Sequence, residues 1–147
     1  MVKKIQIIIL LFIICLFCSC GKVKDVSQNP TDSKYLTGIR VIEYESQKVI
    51  LQMGADDSNI TTTLFNLVNF TISTDDKVDV LPSYIINFID NSQSQQDVWA
   101  NIYIQNEQLY VQYIPEKMPV AEKLGITDEI RKSDVTAKEF LNILDSY

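Results

Sequence analysis

Val98-Trp99-Ala100-Asn101-Ile102-Tyr103-Ile104-Gln105-Asn106-Glu107-Gln108-Leu109-Tyr110-Val111-Gln112-Tyr113-Ile114 is the stretch from which the fold is read. Side chains alternate in polarity on both sides of Asn106-Glu107, the period-two pattern of a strand with one buried face. A two-residue turn at Asn106-Glu107 closes the two runs into a β-hairpin. The register then sets Ala100 opposite Tyr113, Ile102 opposite Val111 and Ile104 opposite Leu109. With Val98, that face is wholly apolar and is the predicted core face. The other face receives Trp99, Asn101, Tyr103, Gln105, Gln108, Tyr110 and Gln112, with Tyr103 opposite Tyr110 and Asn101 opposite Gln112.

Working outward, residues 83–90 predict a further strand. Residues 38–53 predict a second hairpin turning at Ser46-Gln47, with Ile42, Tyr44, Val49, Leu51 and Met53 on one face and Glu45 opposite Lys48. Between the hairpins, residues 57–69 predict a helix. Asp57 or Ser58 can cap it, and Ile60, Leu64, Leu67 and Val68 share one side at helical spacing. Phe65 lies off that stripe and is expected to cover an edge. Thr61, Thr62 and Thr63 weaken the intrinsic propensity, so this helix depends on packing against a sheet. Residues 71–82 read as a loop. Residues 115–132 hold Pro115, Pro119 and Gly125 and give no clear element beyond a short edge strand near 127–132. The chain closes on a helix over 135–146, with Thr136 and Glu139 at capping-box spacing and Phe140, Ile143 and Leu144 as its apolar stripe. The order predicts an α+β fold: an antiparallel sheet of about five or six strands with two helices packed on one face, forming a single domain over 38–147.

The first residues read as an address and not as fold. Lys3 and Lys4 precede an apolar run from Ile5 to Phe17, interrupted only by Gln6. The run is shorter than the ~20 residues a membrane-spanning helix needs and matches the apolar core of a signal peptide. It ends in Leu16-Phe17-Cys18-Ser19-Cys20-Gly21. This stretch resembles the lipobox of bacterial lipoproteins, in which small residues precede a Cys that receives a diacylglycerol and becomes the new N-terminus. Phe17 stands where that family usually has Leu. The resemblance implies a signal peptide over 1–19, lipidation of Cys20, palmitate among its acyl chains, and a place on the extracytoplasmic face of the cell membrane. Residues 20–37 are polar, contain Pro30 and read as a flexible tether. The strand and helix patterns of 82–88, 98–104 and 140–144 resemble small α+β surface lipoproteins of Gram-positive bacteria, and this resemblance implies no catalytic residues. The scarcity of Arg (only Arg40 and Arg131) beside abundant Lys, Ile and Asn fits such a low-GC source.

Composition excludes several functions. The chain has 147 residues, no His and a net charge of −6. Without His there is no Ser-His-Asp or Cys-His pair and no His-ligated zinc. Its Cys residues are Cys15, Cys18 and Cys20, which leaves the domain without a disulfide, thiolate ligand or Cys nucleophile. An acidic balance argues against nucleic acid as a partner. No Gly-rich phosphate loop, Gly-x-Ser-x-Gly elbow or Ser-x-x-Lys motif is present. No enzymatic activity and no cofactor are expected.

Two candidate sites remain. Trp99, Asn101, Tyr103, Tyr110 and Gln112 put flat rings beside amide donors and acceptors, which suits a sugar or a peptide backbone. The competing explanation is that aromatics simply stabilise an open sheet. Asp75, Asp76 and Asp79 are a weak candidate for Ca²⁺, since three carboxylates fall within five residues, although Lys77 sits among them. The expected function is that of a lipid-anchored, extracytoplasmic binding or accessory protein of the cell envelope, non-catalytic and acting through protein interaction. The alternatives are a cell-wall carbohydrate-binding module using the aromatic face, or an immunity or inhibitor lipoprotein against a cationic peptide. Expected partners are the membrane through the lipid and an envelope protein or wall glycan.

Overall fold

A computed structural model describes residues 36–54, 58–90 and 97–147. The expected signal peptide, the expected lipidation site Cys20 and nearly all of the expected tether therefore lie outside the described residues. The strands are β1 (Leu36–Glu43), β2 (Val49–Gly54), β3 (Thr71–Ser73), β4 (Tyr84–Asp90), β5 (Val98–Gln105), β6 (Gln108–Tyr113) and β7 (Ile130–Thr136). The helices are α1 (Ser58–Asn69), the single turn α2 (Ala121–Leu124) and α3 (Ala137–Asp145), with a 3-10 turn at Pro115–Lys117. The sheet runs β2-β1-β4-β5-β6-β7-β3, and every neighbouring pair is antiparallel. Among the described residues the fold is α+β, with seven strands where about five or six were expected.

The central hairpin forms in the predicted register, from Ala100 opposite Tyr113 to Gln105 opposite Gln108. Asn106 and Glu107 both take positive φ, 52° and 63°, the primed-turn geometry that matches the twist of the flanking strands. Val98, Ala100, Ile102, Leu109, Val111 and Tyr113 are buried against Leu64, Leu67 and Val68 of α1 and Phe140 of α3. Both helices thus cover one face. Phe65, off the apolar stripe of α1, meets Phe88 edge to face at 6.4 Å.

The first hairpin departs from its expected faces. The pairing of β1 with β2 shifts by one residue between Val41 and Ile42, so Val41 faces Leu51 while Ile42 faces Val49. Ile39 and Val41 enter the core and Val49 is exposed. The cause is β4, which pairs along the far side of β1 and fixes its faces from that side, leaving the bulge to absorb the difference. The tight turn is set by Gln47 at φ 57°, so Glu45 sits within the turn and not opposite Lys48.

Residues 71–82 do not form an unbroken loop. Thr71–Ser73 add β3 to the sheet edge beside β7. The strand expected near 127–132 as an edge is instead the interior strand β7, held between β6 and β3. Its buried positions are Arg131, Ser133 and Val135, so polar residues occupy a core-facing row and hide the apolar alternation. Arg131 explains the exception. Its Nε donates to Thr71 Oγ1 at 3.0 Å, Nη1 to Ser73 Oγ at 3.0 Å and Nη2 to the Thr71 carbonyl at 3.1 Å. The guanidinium ties β3 to β7 from within, with Glu129 at 3.6 Å as a charge partner. The connection from β6 to β7 buries Met118, Ala121 and Ile126 in the same core.

Candidate functional site

The register places Trp99, Asn101, Tyr103, Tyr110 and Gln112 on the face away from the helices, and the chain's own loops close most of that face. Tyr110 is 5% exposed and Tyr103 7% exposed. The Tyr110 hydroxyl donates to the Asp76 carboxylate at 3.0 Å. Gln105 clasps the same loop: its Oε1 accepts from the Asp79 amide at 2.9 Å and its Nε2 donates to the Lys77 carbonyl at 2.9 Å. The Tyr103 hydroxyl donates to Gln112 Oε1 at 2.5 Å, and Gln112 Nε2 donates to the Asp128 carbonyl at 2.9 Å. Burial is the first cause that raises both phenol pKa values, followed by the Asp76 carboxylate for Tyr110 and by Tyr44 for Tyr103. Two rings meant for stacking are therefore spent on packing, and only Trp99, Asn101 and Gln112 are half-exposed. The Lys117 ammonium lies 4.7 Å from the Trp99 ring centroid.

Asp75, Asp76 and Asp79 fall in the loop that covers this face. Asp76 accepts from Tyr110, and Asp79 pairs with Lys77 at 2.9 Å. Among the described residues no group of three or more carboxylate, Cys or His side chains is placed to hold a metal ion. Asp76 and Asp79 help to fasten the loop, through the Asp76 carboxylate and the Asp79 amide.

An open concavity lies elsewhere. The β5–β6 turn and the start of α3 meet at one end of the sheet, where Gln108 faces Thr136 and the Ala137 amide donates to the Glu107 carbonyl. Between them is a groove of about 690 Å³ whose lining includes Ile104, Ala137 and Leu141 with Glu107, Lys138 and Asp145. Thr136 starts α3 there: its hydroxyl accepts from the Glu139 amide, and the Glu139 carboxylate accepts from the Thr136 amide. This capping box holds the helix angle that leaves Leu141 on the groove side, 36% exposed. Tyr84 stacks edge-on against Phe140 at 5.3 Å nearby. Its pKa is raised by burial and by the neighbouring Glu43 and Asp145 carboxylates.

Sequence reasoning assigned Ile104 to the core and gave Leu141 no role. A signal was present: Leu141 is an apolar residue beside the Phe140, Ile143, Leu144 stripe and not on it. The groove is remote from the chain's entry. Leu36 starts β1 opposite Asp90, whereas Glu43 ends it opposite Tyr84, a strand length of ~25 Å.

Comparison with protein-family models, curated proteins and solved structures finds no match to this chain. Among the described residues no helix is long and apolar enough to cross a membrane.

Proposed function

We propose that this chain is a lipid-anchored, extracytoplasmic accessory protein of the cell envelope that acts by binding a protein partner and not by catalysis. The observation that carries this reading is the contrast between the two surfaces. The aromatic face is occupied by the protein's own 74–79 loop, while an apolar concavity stays open on the helix side of the β5–β6 turn. The lipobox-like stretch ending at Cys20 supports the anchor, and two acyl chains suffice to hold a domain at a bilayer. Loss of Lys3 and Lys4 with the signal peptide would make the net charge of −6 two units more negative. Such a domain is repelled by anionic head groups and stands off the surface on its tether. The absence of His and of any Cys beyond Cys20 supports the non-catalytic part.

Two experiments test it. Labelled palmitate should enter the wild-type chain and not the Cys20→Ser variant, which should accumulate as precursor; normal maturation of that variant would remove the anchor. The full chain should also fail to sediment with purified cell-wall sacculi. Sedimentation that Trp99→Ala abolishes would replace the protein-binding reading with a wall-glycan one.

A further inference from the structure

The groove beside α3 combines exposed apolar surface with a one-sided charge. Ile104, Ala137 and Leu141 supply the apolar lining, and Leu141 is among the large apolar side chains left in solvent. Glu107 and Asp145 are exposed carboxylates in the lining. Glu43 lies beside Tyr84 at the same end of the sheet and adds a third. Against them, Lys138 is the single cation among the described lining residues. A concavity with an apolar lining and a carboxylate excess matches a ligand with the reverse pattern. Its size, about 690 Å³, holds a few side chains of an inserted segment and not a whole domain. It also sits at the end of the sheet opposite the start of β1.

We propose that the groove formed by Ile104, Leu141, Glu107 and Asp145 docks a cationic amphipathic peptide segment, its apolar side chains against Leu141 and Ile104 and its Lys or Arg residues against the carboxylates. This inference rests on the protein-binding reading above and names the chemistry of the partner. The apolar contact gives dwell time, and the negative field raises the encounter rate in a salt-dependent way. Glu107, Leu141 and Asp145 are exposed, so altering them leaves the core intact.

The test uses the full chain in detergent and a fluorescein-labelled amphipathic helix built from Leu and Lys, read by fluorescence anisotropy. The expected result is saturable binding that weakens roughly tenfold in the Glu107→Lys/Asp145→Lys double variant and falls further with added salt. Leu141→Ser should weaken binding several-fold at unchanged net charge. A Glu122→Lys/Asp128→Lys variant carries the same charge change on the far side of the domain and should bind as wild type. Equal weakening by that control would overturn the proposal, because the attraction would be that of an acidic surface at large. So would equal binding of a Leu/Glu helix, or no binding of the Leu/Lys helix by the wild type. In those cases an adduct captured in cells from the groove would still stand for a partner of other chemistry.

Discussion

Arg40 and Arg131 are the only arginines, and the fold uses them differently. Arg131 is 4% exposed and fully engaged between β3 and β7. Arg131→Met removes the guanidinium donors to Thr71 Oγ1, Ser73 Oγ and the Thr71 carbonyl, and should cost about 2–4 kcal/mol in denaturant unfolding. Arg40 lies opposite Asn87, and its Nε and the Asn87 Oδ1 are both buried without a hydrogen-bond partner. The Thr61 hydroxyl is similarly buried and unpartnered. Thr61→Val keeps the shape and removes that liability, so the unfolding midpoint should rise by about 1 kcal/mol of stability; a fall would mean that the hydroxyl is satisfied in solution. Gly125 ends α2 at φ 65° with open space where a Cβ would sit. Gly125→Ala therefore meets no clash and should cost about 1 kcal/mol, purely from the left-handed backbone.

At the scale of elements, legibility followed local pattern. The β5–β6 hairpin, with its register and turn, was readable because alternation and a tight turn specify each other. The cap of α3 was readable because Thr136 and Glu139 stand at fixed spacing. Thr136→Ala should cost about 1 kcal/mol in thermal unfolding. The faces of β1 were not readable from its own hairpin, since β4, more than forty residues away in sequence, decides them. Strand β7 was obscured because its inward row is Arg131, Ser133 and Val135, and β3 because three residues carry no period. The candidate site divides in the same way. The shared face of Trp99, Tyr103 and Tyr110 was legible, whereas its closure by Asp76, Lys77 and Asp79 depends on a loop whose path no local pattern encodes. The groove was missed because it arises where a hairpin turn meets a helix start, two elements thirty residues apart.

Over the whole molecule, tyrosines buried on both faces of the sheet have a consequence for pH. Tyr84, Tyr103, Tyr110 and Tyr113 all hold their protons more tightly than a free phenol, Tyr113 most strongly, through burial. The unfolded chain releases those protons near pH ~10 while the native state keeps them. The native state then binds more protons, so this stability is fully present below pH ~10 and is lost as pH rises above it. The denaturant midpoint should hold between roughly pH 7 and 9 and drop at pH ~11, with the tyrosinate absorbance owed to Tyr103 and Tyr110, read as the difference from a Tyr103→Phe/Tyr110→Phe variant, appearing only as the chain unfolds. Tyrosinate from those two residues that forms before unfolding would mean the outer face is open. That face and the α3 groove compete as the working surface, and one measurement separates them: site-specific photocrosslinking in living cells from position 141 and from position 99 of the full chain. The account predicts a discrete protein or peptide adduct from 141 and none from 99. An adduct from 99 alone, or none from 141, would contradict it.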